Sequence, residues 1–514
     1  VRRLLLFCLA AALLTGFGAL SGPAFADGAN VYVLSHGTVT VRHDPLAGPP
    51  DPYRPTAADN AAAATPDLAP PAAPGTATAA RRMTVTTSLK GMYARKGIDK
   101  AHYEKYTQDY RDAKAALKRL SGRRHVELAA VYNNLNAVAA SGKLTTPRAA
   151  MAFLTLRRNV SWWTKGRLLS YGERVEFGSS IIQWQSYPGQ GLQLQWLGTF
   201  GKVNALWQGG PRYDKKLRTL LGEILPLAAK RAGGIAWEYW FHFGGGNPLW
   251  VSGMAQGTAI QGLSRAASRL NHKTYVTWAK RALGIFRTAP PTGVRDVTGK
   301  GRAHYLIYSF SHEHVLNAFI QSLNGLHDYA VYTGDASALR LFKDGTAEAR
   351  LEVPRYDTGA WSLYQPGEES PLSYHELLRD FLVNLCDRLS DDRKKAKKDG
   401  HAVSAWPNPV RYCTAATHFT SYLKQKPKVA VRALTGGRVG RNALVRVGLS
   451  KISSVTMTVT RGGSVASQRS LQFGYGKHTL SWGPVAKKGR VIVTVRATDL
   501  NGNVGSSSTT QTIR

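Results

Sequence analysis

Between residues 97 and 422 the apolar positions recur three and four apart. Tyr103, Tyr106, Tyr110, Ala113 and Leu117 make one such series, and Val126, Leu128, Val131, Leu135 and Val138 another. That spacing lines one face of a helix, and the segments 215–232, 254–270, 275–286, 315–332 and 372–389 read the same way. Two aromatic, glycine-rich stretches, 177–191 and 237–250, interrupt the run. They predict strands or loops that project from helix ends, where functional groups tend to gather. After Lys426-Pro427 the period changes to two, in 429–431, 455–459 and 491–495, with Gly, Asn and Ser between. This predicts a small β-sandwich of Ig-like type over 427–514.

Upstream, 44–80 is dominated by Pro, Ala, Thr and Asp and reads as a linker. The β-like runs 31–34 and 39–41 before it predict a hairpin whose partner stays open. At the start, Arg2 and Arg3, an apolar stretch 4–20 and Ala24-Phe25-Ala26 have the form of a secretory signal with its cleavage site. The expected organisation is a signal peptide at 1–26, an N-terminal segment and linker at 27–96, a helical domain at 97–426 and the sandwich at 427–514. The helix pairs fit a solenoid or a closed α/α toroid.

Charge changes the picture of partners. The chain carries 68 Lys and Arg against 32 Asp and Glu, a formal net charge of +36, and loses only Arg2 and Arg3 with the signal. Such a balance suits a polyanion. Export turns the expectation from nucleic acid to uronic-acid polysaccharides and anionic wall polymers, and the location to secreted or cell-wall associated, with no membrane span after signal removal. Only Cys386 and Cys413 follow the signal; neither has a metal-ligand spacing, and one disulfide between them is left open. No Walker loop, dinucleotide fingerprint, nucleophile elbow or zinc-binding helix occurs, and Gly244-Gly245-Gly246 lacks the Lys-Ser/Thr of a phosphate cradle. No cofactor and no metal is assigned.

Three stretches remain for chemistry. Tyr187-Pro188-Gly189-Gln190-Gly191-Leu192-Gln193 closes a run containing Gln183, Trp184 and Gln185. Trp250-Val251-Ser252-Gly253-Met254-Ala255-Gln256-Gly257 opens a helix with small residues. Tyr356-Asp357-Thr358-Gly359, with Tyr364 beyond it, precedes Tyr374-His375. Taken with V-L-N-A-F-I at 315–320, and in this order, the motifs resemble the C-terminal catalytic domain of D-glucuronyl C5-epimerases. The likeness runs from Trp250 to Arg388, and Y-P-G-x-G-L-Q extends it upstream.

The resemblance implies an α/α toroid and inversion at C5 of a glucuronate residue inside a polymer, taking it to iduronate. That chemistry removes the proton α to the sugar carboxylate on one face and returns one on the other, while cations or hydrogen-bond donors stabilise the enolate-like intermediate. Carried over, Tyr374 is the first acid/base candidate and Tyr364 the second. The family's Glu-Tyr pair before V-L-N is replaced by Ala303-His304-Tyr305-Leu306-Ile307-Tyr308, so Tyr305 and Tyr308 both stand for the opposite face, with His304 or His312 assisting. The Arg-His that follows the family's second tyrosine is also missing, and Arg355 and Arg379 are the substitutes. His375, Asn317, Gln256, Tyr187, Gln190 and Trp250 complete the substrate-binding set, while Trp237, Tyr239 and Trp240 serve equally as sugar platforms or core.

Two other functions fit the same residues. A polysaccharide lyase begins with the same proton abstraction, and a non-catalytic acidic-glycan or wall-binding protein would explain the lost glutamate. A homodimer is compatible with the sequence, and Asp499, the lone carboxylate of the sandwich, is a contact for glycan or wall.

Overall fold

The computed structural model describes residues 29–46, 53–64, 83–434 and 437–514. The predicted signal and much of the predicted linker lie outside the described residues.

Two helices occupy the centre. Gly253–Leu270 is buried along most of its length and lies against Leu316–Thr333. A Cβ on Gly325 would run into the carbonyl oxygen of Gly257, and one on Gly257 would come 2.7 Å from Ser322 Cα. The glycine of M-A-Q-G is thus set by close helix approach. Trp196–Gln208 packs on the first central helix, and Ala336–Glu352 and Leu372–Lys398 pack on the second. Two asparagines seven residues apart fix the last of these. Asn317 Nδ2 donates to the Tyr374 carbonyl at 3.2 Å and Asn324 Nδ2 to the Phe381 carbonyl at 3.1 Å. The two helices therefore run in the same direction.

Beside them lies a five-stranded sheet in the order Thr38–Asp44, Ala29–Ser35, Arg174–Phe177, Ser180–Tyr187, Gly191–Leu194. The N-terminal hairpin finds its partner here, with Val31–Leu34 parallel to Arg174–Phe177. Lys202, almost fully buried, ties it down through Asp44 at 2.6 Å and Glu176 at 2.5 Å. Within the stretch read as a linker, Ala57–Ala64 is a helix packed on Gly122–Ala140. Asp59 in it accepts the backbone N–H groups of Gly244 and Gly245, each at 3.0 Å. A single carboxylate thus anchors an alanine-rich segment that composition alone assigns to a spacer.

The C-terminal strands form a three-stranded sheet, Val429–Ala433, Ala443–Leu449 and Gly476–Trp482, and a four-stranded one, Ser464–Phe473, Ser453–Arg461, Gly489–Asp499 and Val504–Ile513. Their alternating residues, among them Val445, Val447, Val455, Met457, Val493 and Val495, share one core.

The expectation of a mainly α chain built on an α/α toroid is overturned. The described residues hold six sheets, and the molecule is about half helix and 25% strand. The period-three readings were right for 254–270 and 315–332, but 215–232 is helical only over Asp214–Ile224. Pro226 there tightens the chain into a single 3-10 turn, and Ala229–Arg231 becomes a strand. Gln183, Gln185 and Gln193, polar residues in strands buried on both faces, hide the alternation that would have announced the sheet.

Candidate active site

A cavity of about 380 Å³ opens between the sheet and the helices Trp196–Gln208, Gly253–Leu270, Leu316–Thr333 and Leu372–Lys398. Its lining contains three guanidinium groups, Arg174, Arg265 and Arg388, eight carboxamides, and no Asp or Glu among the described residues. Arg388 grips Asp328 at 2.6 and 3.0 Å, and Arg265 reaches the same carboxylate at 3.3 Å. Two arginines thus share one acid. Burial pulls Arg265 down to about 10, against the attraction of Asp328, while Arg388 holds Asp328 well below the usual carboxylate range despite burial. Arg174 projects from its strand with 3% exposure. Burial lowers its pKa, opposed by the phenols of Tyr187 and Tyr374 and by Asp44.

An adjoining space of about 30 Å³ shares Gln195, Leu197, Met254 and Tyr374 with the main cavity and is walled by aromatic rings, among them Tyr187, Trp250 and Tyr308. Tyr374, in the first turn of its helix, is the one tyrosine that lines both spaces among the described residues. Tyr308 stands in the wall of the smaller space, stacked on Phe310 at 5.2 Å and edge-on to Trp250 at 5.2 Å. Tyr364 is fully buried behind Tyr374, with the rings edge to face at 5.4 Å.

Other residues singled out in the sequence go elsewhere. The Tyr305 hydroxyl donates to the Leu341 carbonyl at 2.6 Å on the far side of its strand, and burial pushes its pKa up, so of the two opposite-face tyrosines only Tyr308 reaches the cavity wall. His375 stacks on Trp361 at 3.8 Å, with Nε2 on the Phe419 carbonyl at 2.9 Å and Nδ1 against Ser362. It is a core residue whose pKa burial lowers to about 4. Gln256 donates to the Trp237 carbonyl at 3.1 Å inside the helix packing.

Gln190 binds the Asp59 carbonyl at 2.9 Å and accepts from His242 N–H. It sits in a turn where Gly189 and Gly191 have φ of 82° and 75° and both donate to Glu127 Oε2 at 2.9 Å, so Y-P-G-x-G holds the sheet to Gly122–Ala140. Arg355 is exposed and lines neither space, and Arg379 pairs with its neighbour Asp380 at 2.8 Å. Trp237 is in the core, while Trp250 lines the small space, stacked on Tyr239 at 4.1 Å. Asn317 acts on Tyr374 through its backbone.

Sequence reasoning missed Arg174, Arg265, Arg388 and Gln183 as cavity residues. Gln183 and Gln185 have neither carboxamide nitrogen nor oxygen hydrogen-bonded among the described residues. Buried polar groups are nearly always paired, and of these two only Gln183 lines the cavity, where its polar atoms can meet a ligand. Their role depends on strand pairing, since Gln183 and Arg174 stand on neighbouring strands of one sheet where Arg174 faces Gln185 in register.

Residues 232–395 match the family described as D-glucuronyl C5-epimerase C-terminus, which bears out the likeness read from the motifs. Tyr308, Tyr364 and Tyr374 lie within the match; Arg174 and Gln183 lie before it. A D-glucuronyl C5-epimerase of Caenorhabditis elegans is 32% identical over 132 residues, 23% of this chain and 21% of that protein. An uncharacterized protein of Methanocaldococcus jannaschii is 27% identical over 170 residues, 31% of this chain and 54% of its own length. The chain thus spans about half of one relative and a fifth of the other. Among solved structures, a GH127 beta-arabinofuranosidase aligns over 84% of this chain and 94% of its own at 9% identity with a TM-score of 0.25, too low to bear on the fold.

Proposed function

We propose that the protein is a uronosyl C5-epimerase-like enzyme that inverts C5 of glucuronate residues in an acidic polysaccharide. The observation that carries this reading is Tyr374, which stands at the junction of an arginine-lined cavity and an aromatic one inside the segment that matches the epimerase family. Tyr374 exchanges the C5 proton on one face and Tyr308 on the other. Arg174 neutralises the sugar carboxylate, so that charge developing on it in the enolate-like intermediate meets a fixed cation in a dry site. The same cation lowers the cost of a phenolate at Tyr374, since the two are electrostatically coupled. Tyr364 packs behind Tyr374 and fixes its ring. The unpaired carboxamide of Gln183 takes a sugar hydroxyl, and about 380 Å³ accommodates one or two sugar units.

Export to the cell exterior or wall belongs to the same proposal. Its supports are the signal-like start and the Cys386–Cys413 disulfide that joins Leu372–Lys398 to Val410–Tyr422. No described helix is long and apolar enough to cross a membrane.

The test is incubation with glucuronate polymers, N-acetylheparosan included, in deuterium oxide. Deuterium at C5 and new iduronate signals in the proton NMR spectrum are expected. Tyr374→Phe should lower turnover by about 10²–10⁴-fold, the usual worth of a positioned acid or base, with its melting temperature unchanged. An unsaturated uronate absorbing in the ultraviolet would identify a lyase instead. Binding without exchange, unaltered in Tyr374→Phe, would leave a glycan-binding protein.

A further inference from the structure

Away from the cavity, the antiparallel hairpin Arg295–Gly299/Arg302–Tyr305 sets Asp296 opposite His304 in register. The connection that leaves it passes Tyr308 and brings His314 back over the hairpin, where its ring stacks on His304 at 3.9 Å and 12°. Glu352, the last residue of Ala336–Glu352, meets both rings, with one oxygen 2.8 Å from His304 Nδ1 and the other 2.9 Å from His314 Nδ1. His314 Nε2 faces Asp296 Oδ2 at 3.1 Å. The three ligand-capable groups of His304, His314 and Glu352 lie within 4.8 Å of one another.

Among the described residues, neither Glu352 nor Asp296 has an ion pair with Lys or Arg; their charged partners are histidines. His304 is wholly buried and Glu352 only 4% exposed. A divalent cation at this cluster would give the buried carboxylate the fixed positive charge that no Lys or Arg supplies among the described residues.

From this arrangement we infer that His304 Nδ1, His314 Nδ1 and the Glu352 carboxylate form a binding site for a zinc-like first-row divalent metal. Two imidazoles and a carboxylate are a donor set such ions favour. Asp296 would hold His314 Nε2–H, fixing the tautomer that leaves Nδ1 to the metal, as carboxylates behind metal-bound histidines do. The His314 and Asp296 side chains are 25% and 30% exposed, so the cluster lies at the edge of solvent. The ion would pin the connection that carries Tyr308 to the hairpin and to Ala336–Glu352. The spacing of these ligands, ten and 38 residues along the chain, matches no short motif.

The test uses the whole chain, stripped with a chelator and titrated with cobalt(II) and zinc(II). One equivalent of cobalt should give visible d–d absorption that zinc displaces, and zinc should raise the melting temperature. Glu352→Gln and the more exposed His314→Gln should each abolish the absorption, and Asp296→Asn should weaken binding about 10–100-fold. Absence of saturable binding by the stripped wild-type protein, with no thermal shift, would overturn the site whatever the variants do. So would binding that persists undiminished in both ligand variants.

Discussion

Two of the places where this molecule buries a cation treat its neighbours differently. Where the C-terminal sandwich meets the helices, Lys451 is wholly buried, yet its ammonium donates to the Tyr422 carbonyl at 2.7 Å, the Gln425 carbonyl at 2.6 Å and Asp499 Oδ2 at 2.8 Å. Asp499 in turn accepts from the backbone of Asn501 and Asn503. The lone carboxylate of the sandwich, expected to meet glycan or wall, is instead consumed by the interface. At the cavity, Arg174 is nearly as hidden but shares the wall with Gln183, whose carboxamide finds no partner among the described residues. An unpaired buried polar group costs about 1–3 kcal/mol, so the cavity wall carries a penalty that the junction avoids. A closed network is structure; an open one is complementary to something else.

The comparison breaks most easily at its closed side. Lys451→Met strands Asp499 as a buried, unbalanced charge and should cost about 3–5 kcal/mol of stability, read as a lower urea midpoint, with turnover per folded molecule unchanged. A loss below about 1 kcal/mol would mean the network contributes little. At the open side the same chemical change should do the reverse. Arg174→Met should lower turnover per folded molecule by about 10²–10³-fold, or about 3–4 kcal/mol of transition-state stabilisation. A large fall in stability with turnover retained would place Arg174 with Lys451.

Legibility in the sequence followed the same division. The central helices, the strand-rich tail and the ordered motifs could be read because period and spacing are local properties. The ordered motifs singled out Tyr374, which lines the cavity, and Asn317, which holds the Tyr374 backbone from the neighbouring helix. What failed depended on partners distant along the chain. Tyr305 and Tyr308 are indistinguishable by spacing, yet only one side of the strand end faces the aromatic space. Arg174 gains its meaning from a sheet whose first members are residues 29–44, and that hairpin had no partner until the parallel pairing with Arg174–Phe177 was seen. The toroid was inferred from helices in succession, which says nothing of the strands folded between them.

His375 sharpens the line between the two classes, because it is the chain neighbour of Tyr374 and yet belongs with Lys451. Its two nitrogens are used in the neutral form, Nε2–H donating to Phe419 and Nδ1 accepting from Ser362, and burial lowers its pKa from 6.5 to about 4. The unfolded chain therefore takes up a proton near pH 6.5 that the folded protein refuses. The stability it confers is complete above that pH and is lost as the pH falls towards 4, about 3 kcal/mol in all at 1.36 kcal/mol per unit. Urea unfolding near pH 7 and pH 4.5 should show this part of the acid loss in the wild-type protein and not in His375→Gln. Equal losses in both would mean that His375 is protonated in the folded state and its contacts rearranged.

The smallest effect is the most diagnostic, because its sign is opposite to that of a core residue. Gln183→Leu keeps the volume and removes two polar atoms that have no protein partner. If those atoms are held for a ligand, the variant should be as stable as the parent or more so, by up to about 1 kcal/mol, because an unmet desolvation penalty disappears. Binding should weaken at the same time, with kcat/KM falling about tenfold through KM, the mark of an interaction made equally in ground and transition states. A destabilised Gln183→Leu with unchanged KM would mean that Gln183 is satisfied in solution by ordered water. The cavity would then be as closed a network as the junction around Lys451, and Arg174 alone would distinguish it.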